Sequence, residues 1–186
     1  MQELYKLKLV LVIGNLCSGK STFLKYANNL NYITLDWSSI FKSSSSSLKR
    51  DTLLNNIIDD INEKGRLFFL NKLVTIVNNK YNEYPTTNGI VIAGARNASE
   101  LSYLLGRFEF SKVAYIHSDL SVRLKRYLKR NRENDPKDFF SFVRSDIKEL
   151  QNGLAECIFD YANDIIDNNG KKEKYLAQIK TYLESI

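Results

Sequence analysis

"LKLVLVIGNLCSGKST", Leu7 to Thr22, couples a short apolar run to a loop that ends in Gly-Lys-Ser-Thr. The run Leu7 to Ile13 is predominantly apolar and rich in β-formers, the pattern of a strand buried on both faces. Gly14, Gly19, Lys20 and Ser21 then satisfy the spacing G-x-x-x-x-G-K-[ST], and a helix is expected from Gly19 to about Asn29. Strand, loop and helix in that order are what a phosphate-wrapping segment needs. Gly14 permits a sharp exit from the strand, and Gly19 lets the backbone come close to a phosphate. Successive N–H groups from about Leu16 to Ser21 can surround the β-phosphate, aided by the helix N-terminus. Lys20 would bridge β- and γ-phosphates, and the Ser21 hydroxyl would hold Mg²⁺. Gly14, Asn15, Leu16, Cys17, Ser18, Gly19, Lys20, Ser21 and Thr22 together form the expected seat for ATP.

The rest of the chain repeats the alternation. "YITLD" (Tyr32 to Asp36), "IVIAG" (Ile90 to Gly94) and "KVAYIH" (Lys112 to His117) read as the second to fourth strands, and "NDIID" (Asn163 to Asp167) as a short fifth. Helical patterns cover about Leu48 to Lys64 and Arg66 to Lys80, broken at Gly65, then Ala98 to Leu105. Asp119 can cap the next helix, which carries Leu120, Leu124 and Leu128 at fourfold spacing. Further helices are expected over about Asp138 to Gln151 and at the C-terminal end, to near Leu183. "SSSSS" (Ser43 to Ser47), "YNEYPTTNG" (Tyr81 to Gly89) and "NRENDP" (Asn131 to Pro136) read as loops and breaks. Short apolar strands alternating with helices make an α/β domain with a parallel sheet. Neither a repeat nor a linker divides residues 1–186, so one domain is expected. The two helices after Ser47 exceed an ordinary crossover and place a subdomain between the second and third strands.

The 186 residues carry 44% hydrophobic and 26% charged side chains, an ordinary globular balance. Apolar runs stay strand-sized, so no membrane partner is expected. With the phosphate loop directly after Leu9 to Ile13, neither is a secretory signal. Two distant cysteines, Cys17 and Cys157, imply a reduced, cytoplasmic setting, and Cys17 is expected merely to fill space. One histidine leaves almost nothing for a zinc site or a His-based triad. Of the net charge of +6, nearly all sits between Arg123 and Arg144, where eight Lys or Arg face three acids. That placement favours a local grip on polyphosphate over a face for DNA or RNA. Tyr127, Phe139, Phe140 and Phe142 interleave with the segment at helical spacing, which points to core.

A phosphate loop alone does not separate a kinase from a GTPase, a motor or a transport ATPase. The chain leaves no room for the appended parts of large ATPases, and it has no Asn-Lys-x-Asp element for reading a guanine. The arginine-rich segment after the fourth strand suits a kinase lid. With these parts in order, the chain from Leu7 to about Leu176 resembles the small P-loop kinases of the nucleoside-monophosphate kinase and dephospho-CoA kinase branch. "GIVIAGARNASELSYLL" (Gly89 to Leu105) is similar to that branch's third-strand motif, a hydrophobic run followed by Asp-Gly-x-Arg-Asn. "DLSVRLKRYLKRNREND" resembles the start of its lid. "FFSFVRSDIKELQNGL" and "NDIIDNNGKKEKYL" resemble its lid helix and adenine-side loop. The resemblance implies a P-loop NTPase three-layer fold, α/β, with a five-stranded parallel sheet flanked by helices. It also implies a helical acceptor-binding excursion at about 37–88, a lid at about 123–144, and ATP with Mg²⁺.

Position by position, the resemblance places Asp36 in the acceptor site and makes Arg50 and Arg96 grips on the acceptor's phosphate. Arg123 and Arg126 begin the lid on the substrate side, while Arg130, Arg132 and Arg144 steady the transferring phosphoryl group. Asn168 and Gly170 fall where the family passes backbone beside the adenine. Physical chemistry independently favours arginines here, because phosphoryl transfer is mostly positioning and charge neutralisation. Asp36 carries a fork. A hydroxyl acceptor would make it a general base, whereas a phosphate acceptor would leave it to orient substrate or metal-bound water. One departure stands out: Ala93 occupies the place of the family's third-strand Asp, which helps organise Mg²⁺.

The expected activity is transfer of the γ-phosphoryl of ATP to a small phosphorylated acceptor, first a nucleoside or deoxynucleoside monophosphate. Dephospho-CoA-like hydroxyl phosphorylation is the alternative. Ala93 opens a second, a nucleotide-binding regulatory domain with weak or no catalysis. A kinase acting on nucleic-acid ends is a third reading, and the chain is expected as monomer or homodimer.

Overall fold

A computed structural model describes residues 5–37, 65–130 and 138–186. The serine loop, the helix expected over 48–64, the break at 131–136, and both Arg50 and Arg132 lie outside the described residues. Five parallel strands, β1 (Tyr5–Ile13), β2 (Tyr32–Asp36), β3 (Gly89–Ala93), β4 (Phe108–His117) and β5 (Asp164–Asp167), form one sheet in the order β2-β3-β1-β4-β5. Helices α1 (Lys20–Asn29), α2 (Arg66–Glu83), α3 (Ala98–Leu105), α4 (Leu120–Arg130), α5 (Phe139–Glu149) and α6 (Lys172–Glu184) lie between and after them.

Strand alternation sorts the core into two layers. Leu9, Leu11 and Ile13 of β1 join Ile33, Leu35, Ile90, Ile92 and Val113 on one face, covered by α2, α3 and the segment after α5. Val10 and Val12 join Val91, Ala93, Ala114, Ile116 and Ile166 on the other, beneath α1 and α6. Side chains alternate with a period of two, so Leu7 to Ile13 feeds both layers and must be apolar at nearly every position. That is why it reads as a doubly buried strand. The register pairs Val12 with Ala93, and Ala93 in turn with Asp36. In-register neighbours share a face, so Asp36 and Ala93 stand side by side on the α1 side.

The expected element order is reproduced, with three informative differences. β4 begins at Phe108 rather than Lys112, because β1 also starts earlier and Tyr5 pairs with Phe108. α5 ends at Glu149, close to the expected Gln151, but further helical turns extend it that the sequence did not suggest: Leu150–Leu154, kinked at the non-helical Gly153 (φ +110), and Cys157–Tyr161. The third concerns α4. Its buried residues are Arg123 and Tyr127, while Leu120 and Leu128 are exposed and only Leu124 is partly covered. The leucine spacing suggested an apolar seam, but this helix packs over the polar phosphate loop instead of the sheet. Its inward stripe therefore holds a guanidinium and a phenol. Asp119 starts α4 with its carbonyl, which accepts the Arg123 N–H at 2.9 Å, while its carboxylate lies 3.2 Å from His117 Nε2.

Candidate active site

The segment from Gly14 to Gly19 leaves the C-terminal end of β1 and enters α1 at Lys20. Its conformation is held by donors that take its carbonyl oxygens. Lys20 Nζ donates to the carbonyls of Gly14 and, at 2.9 Å, Asn15. Arg123 Nη1 donates to the Leu16 carbonyl at 3.3 Å, and Arg126 Nη1 to that of Cys17 at 3.5 Å. Asn168 Nδ2 takes the Ser18 carbonyl at 2.6 Å, and the Tyr175 hydroxyl takes that of Gly19 at 3.2 Å. In a trans peptide the N–H points opposite to the C=O, so tying the carbonyls of Leu16, Cys17, Ser18 and Gly19 to Arg123, Arg126, Asn168 and Tyr175 turns the following N–H groups away from those side chains. Burial holds the Tyr175 phenol well above its ordinary range, which keeps it a proton donor to Gly19.

Two glycines are required by this packing. A Cβ on Gly14 (φ +153) would lie 2.9 Å from the Ile116 carbonyl, and one on Gly19 (φ +119) would run into Asn168 Nδ2. The Leu16 side chain enters a small apolar cluster with Tyr127 and Phe142, whose rings stand 4.8 Å apart. Cys17 packs partly against the same cluster, as space filling predicts. Beside it, Asn15 donates to Asp146 Oδ1 at 3.2 Å and accepts from the Tyr115 hydroxyl at 3.3 Å. Asp146, on α5, also receives both terminal nitrogens of Arg123, with Nη2 at 2.8 Å from Oδ2. Arg123 Nε reaches the Ser118 carbonyl at 2.8 Å. Burial raises the Tyr115 hydroxyl, with Arg123 opposing and Asp146 adding.

The residues expected on the acceptor side, Asp36 and Arg96, flank β3. Asp36 ends β2, and a Cβ on Gly94 would sit 3.8 Å from its Oδ1. Arg96 follows β3, a third exposed, with Nη2 3.2 Å from Glu149 Oε1. Its N–H donates to Glu100 at 3.0 Å, and its carbonyl would lie 2.8 Å from a Cβ on Gly153. Arg96 is thus gripped at side chain and backbone alike by the α5 extension and α3.

The structure divides the other arginines. Arg123 is buried, and its guanidinium is committed to Asp146, Ser118 and Leu16. Arg126 is partly exposed and reaches Asn168 at 2.7 Å (carbonyl) and 3.1 Å (side chain). Arg130, at the end of α4, stacks its guanidinium 4.9 Å from the Tyr127 ring. Arg144 is exposed on α5, off the buried stripe of Phe142, Asp146 and Glu149. Asn168 is buried under the loop, while Gly170 is exposed two residues on. Asp146, Tyr175, Glu149 and Tyr115 escaped the sequence reading. Asp146 and Glu149 did leave a trace, since carboxylates share the helical stripe of Phe142.

These residues fit a polyphosphate: Gly14 and Gly19 leave no room for side chains, the carbonyls of Leu16 to Gly19 already have donors, and Lys20 and the exposed Ser21 stand at the helix start. Among the described residues there is no cluster of three metal-ligating side chains and no helix long and apolar enough to cross a membrane. The exposed Ser21 could hold Mg²⁺ through its hydroxyl together with phosphate oxygens.

No family model matches the chain. A UPF0200 protein from Methanococcus vannielii is 26% identical over 188 residues, covering 97% of each chain. Among solved structures, a sugar kinase from Janibacter sp. HTCC2649 is similar with a TM-score of 0.62 and 15% identity, covering 96% of this chain and 95% of the other. A gluconokinase from Sinorhizobium meliloti 1021 gives a TM-score of 0.58 at 14% identity, covering 97% and 95%. A shikimate kinase from Acinetobacter baumannii, in complex with shikimate, gives 0.57 at 15%, covering 96% and 92%. A five-stranded parallel sheet flanked by helices, opened by a phosphate loop after its first strand, is the fold of the P-loop kinases, and it is the fold of this chain.

Proposed function

We propose that the protein is an ATP-dependent phosphotransferase acting on a small phosphorylated acceptor. The observation that carries this reading is the glycine-lysine loop at the start of α1, with the carbonyls of Leu16 to Gly19 taken by Arg123, Arg126, Asn168 and Tyr175. Gly14 to Thr22 would seat the triphosphate, with Lys20 neutralising β- and γ-oxygens and Asn168 to Gly170 beside the base. Mg²⁺, which the Ser21 hydroxyl would help hold, would supply further charge neutralisation. Arg96, with Arg50, would grip the acceptor's phosphate, and Arg130, Arg132 and Arg144 would surround the moving phosphoryl group.

A nucleoside or deoxynucleoside monophosphate is the first acceptor on this reading. Asp36 favours a second, a phosphorylated compound whose receiving group is a hydroxyl. Its carboxylate stands at the acceptor end of β2 beside Gly94, where it can take a hydroxyl proton. The kinases of like fold are named for shikimate, gluconate and a sugar, all polyhydroxylated compounds. ADP release from a panel of monophosphates, deoxymonophosphates and dephospho-CoA ranks these acceptors. Lys20→Ala should abolish that release, and retained turnover would sink the loop assignment. ATP binding with no turnover on any acceptor would favour the regulatory reading. Steeply salt-dependent affinity for oligonucleotides would favour nucleic-acid ends.

A further inference from the structure

We infer that Asp146 is a positioning residue for the phosphate loop: it fixes Asn15 directly and the Leu16 peptide through Arg123. The inference rests on the nucleotide-binding reading of the loop. Asp146, Arg123 and Asn15 are each more than nine-tenths buried. One carboxylate oxygen receives Asn15 Nδ2 at 3.2 Å together with an Arg123 nitrogen, and the other receives Arg123 Nη2 at 2.8 Å. The same guanidinium reaches the Leu16 carbonyl at 3.3 Å, so two consecutive loop residues answer to one side chain on α5.

Stability is a poor reason for such an arrangement. Taking two opposite charges out of water recovers little, and an apolar pair of similar volume often does as well. What the pair supplies is direction. The planar fork of Arg123 has two nitrogens on Asp146 and a third on Ser118, which leaves its contact with the Leu16 carbonyl a single geometry. The Leu16–Cys17 peptide is thereby fixed with its carbonyl on Arg123 and its N–H edge on the opposite side. Tyr115 completes the set by donating to Asn15 Oδ1, which orients the Asn15 amide nitrogen toward Asp146. Asp146 lies 131 residues from Asn15 along the chain, and its carboxylate is engaged by Asn15 and Arg123. It acts on the nucleotide only through the shape of the loop.

The test is calorimetric titration with ATP on the full chain, with folding followed by circular dichroism. Asp146→Asn keeps the shape and removes the charge; Arg123→Lys keeps the charge and removes the fork. Each, still folded, should weaken ATP binding about tenfold, and Asp146→Glu should restore part of it. Asn15→Ala combined with Asp146→Asn should weaken binding less than the product of the single effects, since both act through one contact. A purely structural role would lower the melting temperature and leave the ATP Kd of the folded protein unchanged, and that result overturns the inference. If Asp146→Asn fails to fold, Arg123→Lys decides on the same terms. Wild-type protein without Lys20-dependent ATP affinity would sink the nucleotide reading itself, and the inference with it.

Discussion

Ala93 is 2% exposed and stands between Val12 and Asp36 in the sheet, its methyl group in the layer beneath α1. A carboxylate there would sit one strand from Asp36, on the same face and close to the start of α1. Ala93→Asp thus places two like charges on adjacent strands, which repel unless a cation lies between them. In metal-free buffer the substitution should lower stability by about 1–3 kcal/mol. Mg²⁺ with ATP should return much of that loss and raise turnover above wild type. Thermal melts with and without Mg²⁺, beside ADP release, check both halves; an activity unchanged by the substitution counts against a metal role for this position.

Helix α4 shows where sequence reading succeeds and where it stops. Its start, its length and its charge were legible, but its buried face was not. Periodicity assumes that an apolar stripe seeks an apolar surface, and α4 lies instead partly on loop carbonyls that want donors. The same holds for α5, whose Phe142, Asp146 and Glu149 face inward together. By contrast, the phosphate-loop motif and all five strands were legible, β1 and β4 only without their first residues. Their signals are local: glycine spacing, a Lys-Ser pair and doubly buried apolar runs. The braces were not legible, because each joins residues far apart in the chain. A substitution pair measures the face of α4. Tyr127→Ala removes the ring that packs on Phe142 and Leu16 and should cost about 3–5 kcal/mol. Leu128→Lys, on the exposed side, should stay within about 0.5 kcal/mol of wild type. Urea midpoints decide it, and equal losses would reverse the assignment of faces.

Across the whole molecule, burial has left several acidic protons hard to remove. The Cys157 thiol is pushed up to about 12 by burial, with Glu100 and Glu156 adding. Tyr175 and Tyr182 are raised by burial as well, Tyr182 further by Asp164 and Tyr175 against the opposing pull of Arg126. In the unfolded chain these groups release their protons earlier, from the ordinary thiol value of 9.0 and phenol value of 10.0. Folding therefore retains protons at high pH, and stability must fall as pH rises. The contribution is complete below about pH 9. It is lost progressively as pH climbs through 10 toward the folded values. Urea midpoints should be level from pH 7 to 9 and then decline. In Cys157→Ala the decline should begin nearer the phenol range. A wild-type midpoint constant to pH 11 would refute the account.

The loop near the amino end is finished by residues from the last third of the chain: Asn168 reaches Ser18 across 150 positions, and Tyr175 reaches Gly19 across 156. Contacts of such sequence separation form late, since long stretches of chain must be closed before they are rewarded. During synthesis the glycine-lysine motif emerges early, yet its shape waits on β5 and α6. A ribosome-bound fragment ending before β5 carries every residue of the motif and none of its two C-terminal braces. On the proposed reading, nucleotide affinity is a property that the chain acquires only as α6 docks.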